Sequence, residues 1–232
     1  MPLRAVLFDA AGTLIETARP VGDVYSERAR AHGVALPPAR LADAFRRILA
    51  QAPPRVFPDA PDDRIAELER AWWRSVVRST FLAADGTARF DAFERFFADL
   101  FAHYATPAAW RARAGARDAL LRLRALGIAT GCVSNFDRRL PGILAGLGLA
   151  ELLGVVMLPA EARVAKPDAR IFALALARLG VDAAFAAYVG DDAARDLEGA
   201  RAAGLAAIDA TGLATLADLP ERLLGRATKG SR

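Results

Sequence analysis

The sequence predicts an α/β protein in which a helical segment interrupts a parallel-sheet core. From residue 117 onward, short apolar stretches alternate with amphipathic helical stretches, as a parallel sheet with crossover helices requires. An isolated apolar stretch at residues 3–8 supplies one more strand, and the region between has helical periodicity and few strand signals. We therefore expect a core of residues 1–15 and 107–232 and a helical insertion over 16–106.

The first strand ends in a carboxylate. Residues 3–8 are predicted to form a short buried strand, Asp9 follows it, and Gly12 allows the backbone to turn back. Open α/β sheets bind ligands at the carboxyl ends of their strands. A carboxylate placed there can ligate a hard cation or act as a nucleophile, although it can also simply cap the next segment. Asp9 alone leaves both roles open.

The insertion is predicted to be a set of helices. Helical periodicity covers residues 24–32, 41–49, 65–81 and 90–104, and proline-rich or glycine-containing turns separate these stretches. Hinges are expected near 15–17 and 104–107. A helical insertion directly after a nucleophile loop can close over the site and exclude water.

The second half of the chain adds a hydroxyl and an ammonium group. The predicted strand 128–133 is followed by Ser134 and Asn135, and Lys166 precedes an amphipathic helix. Among the 31 basic residues only Lys166 and Lys229 are lysines, which favours a specific need for a compact ammonium at position 166. The simpler interpretations are a strand end and a solvated lysine.

An acidic cluster follows the next predicted strand. The apolar stretch 186–190 leads into Asp191 and Asp192, and Asp196 lies about one turn further on. These aspartates could merely cap a helix, which aspartate does well. Together with Asp9 and the hydroxyl and ammonium groups, however, they suit a site for magnesium and phosphate.

The four motifs, in this order, resemble those of the haloacid dehalogenase superfamily of hydrolases. They are DAAGT at 9–13, SN at 134–135, KP at 166–167 and GDDAARD at 190–196, and the segment 166–204 is especially similar to the family. The resemblance implies a Rossmann-like parallel-sheet core with an inserted helical cap of the family's first type. It also implies a magnesium-dependent phosphatase that forms an aspartyl phosphate on a small phosphorylated metabolite.

The resemblance further assigns the nucleophile and the metal ligands. Asp9 is expected to attack phosphorus. Magnesium is expected to bind Asp9, Asp191 and the main-chain carbonyl of Ala11, so the alanine side chain does not remove that ligand. Either Asp192 or Asp196 is expected to orient the metal's water molecules, and Asp196 matches the family spacing better.

Substrate contacts are implied for the other motif residues. Ser134, with the neighbouring Asn135, is expected to bind the phosphoryl oxygens, and Lys166 is expected to offset the charge shared by the phosphate and Asp9. Thr13 is expected to steady the nucleophile loop beside the substrate. Asp9, Ser134 and Lys166 are therefore the expected catalytic residues.

Ala11 departs from the family pattern, because phosphatases of the superfamily carry a second aspartate there. That aspartate acts as general acid and base, and such a group is worth about 10²- to 10⁴-fold in rate. A phosphatase with weakened acid/base function is the first interpretation. A 2-haloacid dehalogenase-type hydrolase and a catalytically inactive binding protein are the alternatives. The acidic cluster favours the magnesium enzyme, because its charge would otherwise raise the pKa of the nucleophile.

Composition limits the remaining classes. A chain of 232 residues that is 54% hydrophobic and 25% charged is globular, and its single cysteine, Cys132, fits a reducing cytoplasm. The net charge is only +4, and the arginine cluster at 111, 113, 117, 122 and 124 is best explained as a solvated helix face, so no nucleic-acid partner is expected. No signal peptide or membrane span is expected, and a monomer or homodimer fits equally well.

Overall fold

A computed structural model describes residues 3–229 of the chain. The seven strands, β1 to β7 in chain order, are Ala5–Phe8, Ile15–Thr17, Trp110–Ala112, Ala129–Val133, Val155–Met157, Ala186–Gly190 and Ala206–Asp209. The ten α-helices, α1 to α10, are Val21–Ala31, Pro38–Gln51, Ile65–Ala84, Phe93–His103, Ala116–Ala125, Leu140–Gly146, Pro159–Ala162, Ala169–Leu179, Gly199–Ala202 and Leu219–Lys229. A π-helical segment, Ala193–Glu198, precedes α9.

Five of the strands form one parallel sheet in the order β5-β4-β1-β6-β7, which confirms the predicted fold class. Strand β1 is central: Ala5 pairs with Ala129 of β4 on one side and with Ala186 of β6 on the other. All four residues of β1 are buried, as expected for a strand covered on both faces. The carboxyl ends of β1, β4 and β6 therefore lie side by side.

The sheet is held by apolar packing against its crossover helices. Leu7 of β1 and Val133 of β4 belong to a buried cluster that also contains Ile171 and Phe172 of α8. Tyr188 of β6 lies in the same cluster, with its ring 5.0 Å from that of Phe172. Fully burying a side chain of this size contributes about 1.5–3 kcal/mol. This packing fixes the strands whose ends carry the polar motifs.

The described residues form two compact units. One comprises the residues up to Glu16, Val56–Pro58 and the residues from Arg111 onward, and the other comprises Thr17–Arg55 and Asp59–Trp110. The second boundary falls later than the prediction at residue 106, because the N–H of Ala18 donates to the carbonyl of Ala109 and ties that segment to the helical unit. The inclusion of Val56–Pro58 in the sheet-containing unit is not anticipated from the sequence.

The helical unit contains α1 to α4 and has its own aromatic core. Tyr25, Phe81, Phe96 and Phe97 are buried together, and the rings of Phe81 and Phe96 lie 5.1 Å apart, edge to face. Two short strands that the sequence does not signal, β2 and β3, pair with each other where the chain enters and leaves this unit. Among the described helices, none is both long and apolar enough to cross a membrane.

Candidate active site

The loop that is predicted to carry the nucleophile begins where β1 ends. Asp9 is buried, at 7% exposure, and its N–H donates to the carbonyl of Val189 at 2.9 Å, which anchors it between β1 and β6. Gly12 has φ +97°, a conformation that favours glycine. A Cβ atom on Gly12 would lie 2.2 Å from Oδ2 of Asp191, so the loop also needs glycine in order to approach the acidic cluster.

Lys166 lies at the centre of the site and uses all three of its N–H donors. Its Nζ atom lies 2.6 Å from Oδ1 of Asp9, 2.5 Å from Oδ1 of Asp196 and 2.8 Å from the hydroxyl of Tyr188. The amide of Asn135 holds the Lys166 backbone through two hydrogen bonds, accepting from its N–H at 2.8 Å and donating to its carbonyl at 2.9 Å. Asn135 therefore positions Lys166.

Asp196 is buried and its carboxylate accepts four hydrogen bonds. Oδ1 accepts from Lys166 and from the hydroxyl of Tyr188, the latter at 3.1 Å. Oδ2 accepts from the backbone N–H groups of Asp191 and Asp192, each at 3.1 Å. An ionised carboxylate has about four acceptor positions, and these four donors fill them.

The wide turn after β6 places Asp196 beneath this strand end. The N–H of Leu197 donates to the carbonyl of Asp192, five residues earlier, as in a π-helix. Such turns are rare in proteins, and those that occur often lie at functional sites. A Cβ atom on Gly190 would lie 2.4 Å from Oδ2 of Asp196, so glycine is needed there for the carboxylate to fit.

The neighbouring aspartates Asp191 and Asp192 differ in their surroundings. The hydroxyl of Thr13 donates to Oδ1 of Asp191 at 3.1 Å, and carboxylate oxygens of Asp9, Asp191 and Asp196 all lie within 4.8 Å of one another. Asp192 instead accepts from the N–H groups of Ala194 and Arg195, at 3.0 and 2.8 Å, as a helix N-cap. Asp192 is not part of the three-carboxylate group.

Ser134 lies at the end of β4, beside β1, and is 3% exposed. Its N–H donates to the carbonyl of Met157, and its Oγ accepts from the N–H of Phe136 at 3.3 Å. The accepted hydrogen bond orients the hydroxyl and leaves it a proton to donate. Ser134 thus has the chemistry needed to bind an anionic oxygen.

Burial and the charges of neighbouring groups shift the pKa values of Asp9, Asp191 and Lys166. Burial is the largest influence on the Asp9 carboxyl and raises its pKa; Lys166 opposes that increase, whereas Asp196 and Asp191 add to it. Burial also raises the pKa of Asp191, and the hydrogen bond from Thr13 counters it only partly. For Lys166, burial alone would lower the pKa, but Asp9 and Asp196 outweigh it and the pKa is raised. Lys166 is therefore a stable cation beside carboxylates that repel one another.

The structure brings most of the predicted residues into one group. Asp9, Thr13, Lys166, Asp191 and Asp196 are joined by the hydrogen bonds described above, and Asn135 joins them through the Lys166 backbone. The Ala11 side chain is exposed and adds no polar group, so this residue can offer only its main chain. The sequence prediction omits Tyr188, although it is the one polar side chain within β6.

Arg113 differs from the expectation for the arginine cluster. Arg113 precedes α5, and its guanidinium donates to the carbonyls of Gly12, Ala210 and Leu213. Interpreting this residue as part of a solvated helix face is therefore wrong. No sequence signal distinguishes it from its neighbours, because its partners are main-chain atoms about 100 positions away.

Comparisons with known proteins agree with this architecture. Residues 3–204 match the family model for haloacid dehalogenase-like hydrolases. The chain is 38% identical over 205 residues to haloacid dehalogenase-like hydrolase domain-containing protein 3 of Mus musculus, covering 88% of this chain and 80% of that protein. It is 27% identical, with the same two coverages, to N-acetylmuramic acid 6-phosphate phosphatase of Pseudomonas aeruginosa.

A solved structure supports the fold. The L-2-haloacid dehalogenase of Xanthobacter autotrophicus superposes with a TM-score of 0.67 at 23% identity, over 96% of this chain and 83% of that one. This likeness concerns the fold alone, whereas the family model and the mouse relative extend to the sequence itself. The chain belongs to the haloacid dehalogenase-like hydrolase family.

Proposed function

We propose that this hydrolase is a magnesium-dependent phosphatase that acts on a small phosphorylated metabolite through an aspartyl phosphate on Asp9. The observation that carries the proposal is the charge of the site. Carboxylate oxygens of Asp9, Asp191 and Asp196 lie within 4.8 Å of one another. Among the described residues, the Lys166 ammonium is the cation that is hydrogen-bonded to this group of carboxylates, through Asp9 and Asp196. The group therefore has an excess negative charge that a divalent cation would balance.

The donor set fits magnesium. Hard cations prefer oxygen ligands, and Mg²⁺ commonly binds through one or two carboxylates while it keeps several waters. Asp9, Asp191 and the main-chain carbonyl of Ala11 would hold the ion, whereas Asp196 already accepts four hydrogen bonds. When bound, the ion would neutralise phosphoryl charge and lower the repulsion between the carboxylates. Asp192 is assigned to capping and not to the metal.

The residues of the chain divide the remaining work. A carboxylate oxygen of Asp9 would attack phosphorus, the bond to the leaving oxygen would break with its electron pair, and water would then attack the phosphorus and release Asp9. Ser134 would donate to a phosphoryl oxygen. Lys166, with its three N–H groups already used inside the protein, would act through its charge and hold Asp9 in place.

Ala11 restricts the substrates that can be cleaved quickly. With no carboxyl at residue 11, the leaving oxygen must depart without a proton from that position. Loss of a general acid lowers the rate by about 10²- to 10⁴-fold when the leaving group is poor. Acyl and aryl phosphates, whose leaving groups are stable anions, should therefore be cleaved much faster than alkyl phosphates.

Dehalogenation is the second candidate, favoured by the alanine at position 11. The relatives include both a protein named as a phosphatase and a structure named as a dehalogenase. The two functions make opposite demands on the acidic cluster. A metal-independent nucleophile is impaired by nearby negative charge, which raises its pKa, whereas a metal site requires that charge. The three-carboxylate group therefore favours the phosphatase.

The test is a substrate panel with and without metal. Acetyl phosphate, para-nitrophenyl phosphate, glycerol phosphate and a chlorinated propionate should be assayed with Mg²⁺ and with excess chelator. We expect turnover of the first two that requires Mg²⁺ and is lost in Asp9→Asn. Halide release that persists in chelator would replace the phosphatase by the dehalogenase, and no turnover at all would favour an inactive binding protein.

A further inference from the structure

The nucleophile loop places Gly12 directly after its proposed main-chain ligand, the carbonyl of Ala11. Gly12 can rotate more freely than other residues, and it adjoins the peptide whose carbonyl belongs to Ala11. The N–H of Gly12 donates to the carbonyl of Ile15 at 2.9 Å. Because a trans peptide is planar, this bond directs the Ala11 carbonyl to the opposite side. The peptide before Gly12 is therefore fixed by the loop itself.

Arg113 fixes the peptide after Gly12. Its guanidinium donates to the Gly12 carbonyl at 3.1 Å, and its own backbone N–H donates to the carbonyl of Leu14 at 2.9 Å. Both hydrogen bonds join the loop to the segment that leads into α5. The side chain is partly buried, so its bonds compete less with water than those of an exposed arginine.

The same guanidinium reaches the segment after β7. It donates to the carbonyl of Ala210 at 2.9 Å and to that of Leu213 at 2.6 Å. The N–H of Ala210 in turn donates to the carbonyl of Gly190, the residue before Asp191. One side chain thus links the loop that carries Ala11 to the strand end that carries Asp191.

We infer that Arg113 is a positioning residue for metal binding, which holds the loop that carries the Ala11 carbonyl and the strand end that carries Asp191 in the arrangement that one cation requires. The inference rests on the proposed function. A planar guanidinium can bond several carbonyls at once, whereas a lysine ammonium is a compact charge and would reach fewer of them. Groups that orient metal ligands typically change metal affinity by about 10- to 100-fold when mutated.

The experiment compares Arg113→Met and Arg113→Lys with Arg117→Ala in the full chain. Arg117 is exposed on α5 and serves as the control for loss of an arginine near this position. Mg²⁺ affinity is measured by titration calorimetry and Mn²⁺ affinity by electron paramagnetic resonance, and the melting temperature is measured in chelator and in excess Mg²⁺. We expect about tenfold or greater weakening for Arg113→Met, a smaller effect for Arg113→Lys and none for Arg117→Ala.

The outcomes separate the inference from the proposed function. Wild-type protein that binds Mg²⁺ while Arg113→Met binds it equally well overturns the inference alone. Wild-type protein that binds neither metal overturns the proposed function, and the inference with it. If Arg113→Met is unfolded in chelator at the assay temperature, Arg113→Lys is used in its place. Unchanged Mg²⁺ affinity in Arg113→Lys contradicts a positioning role. Weakened Mg²⁺ affinity together with a wild-type melting temperature in chelator supports it.

Discussion

Two buried tyrosine hydroxyls in this protein should respond in opposite ways to the same chemical change. The hydroxyl of Tyr188 accepts from Lys166 at 2.8 Å, and its single proton is shared between the carbonyl of Val133 at 2.9 Å and Oδ1 of Asp196 at 3.1 Å. The hydroxyl of Tyr104 is also buried, but within the described part of the chain it has no hydrogen-bond partner. Replacing each by phenylalanine removes one oxygen atom from a buried position. The two variants are therefore a matched pair.

The expected cost of Tyr188→Phe follows from the bonds that it breaks. A hydrogen bond to a charged group contributes about 1.5–3 kcal/mol, and a neutral one about 1 kcal/mol. Losing the acceptor for the Lys166 ammonium and the proton shared between Val133 and Asp196 should therefore lower the free energy of unfolding by about 3 kcal/mol. For a chain of this size, that corresponds to about 6–12 °C in melting temperature. Tyr104→Phe should leave stability unchanged or raise it by about 1 kcal/mol, because it removes an unsatisfied polar group.

Calorimetry and urea unfolding followed by far-ultraviolet circular dichroism suit this comparison, because Trp72, Trp73 and Trp110 all lie in the helical unit and their fluorescence reports on that unit. Both variants are measured in chelator, so that metal binding does not contribute. A loss of less than about 1 kcal/mol in Tyr188→Phe, or a loss in Tyr104→Phe as large as that in Tyr188→Phe, would contradict the roles given to these two hydroxyls.

Three other substitutions test the site. Ala11→Asp should raise kcat/KM for glycerol phosphate by about 10²- to 10⁴-fold and change that for acetyl phosphate by less than about tenfold, because only the poor leaving group needs a proton; equal effects on both would contradict the assignment. Asp196→Asn should lower the free energy of unfolding by about 3–5 kcal/mol, because it disrupts a buried pair with Lys166. Asp192→Asn should leave the free energy of unfolding within about 0.5 kcal/mol of wild type, because asparagine caps helices as well as aspartate does. Urea unfolding in chelator measures both, and equal losses would contradict the roles given to these aspartates.

The sequence predicts the parts of the site that depend on where strands end. Asp9 and Asp191 each follow an apolar stretch, and parallel strands bring such ends to the same edge of the sheet. The fold class follows from the same alternation of strands and helices. Because β4 is the neighbour of β1 in the sheet, Ser134 and Asp9 follow adjacent strand ends.

Other features depend on contacts that a sequence pattern does not contain. The surroundings of Asp192 and Asp196 depend on the wide turn after β6, which directs the Asp196 carboxylate toward Lys166 and leaves that of Asp192 on backbone N–H groups. In the sequence, Tyr188 resembles an ordinary core residue, and only the position of its hydroxyl beside Lys166 makes it part of the site. The hydrogen-bond partners of Arg113 are main-chain carbonyls. Because every residue has such a carbonyl, the sequence does not indicate which ones Arg113 contacts.

The fate of water oxygen in a single turnover tests the proposed chemistry most directly. Excess enzyme with Mg²⁺ is mixed with acetyl phosphate in water labelled with heavy oxygen, and the released phosphate and the Asp9 peptide are analysed by mass spectrometry. Attack of water on phosphorus places the label in phosphate and leaves Asp9 unlabelled, which is the predicted result. Label in the Asp9 carboxylate, or phosphate release that is undiminished in Asp9→Asn, would contradict an aspartyl phosphate that is hydrolysed at phosphorus.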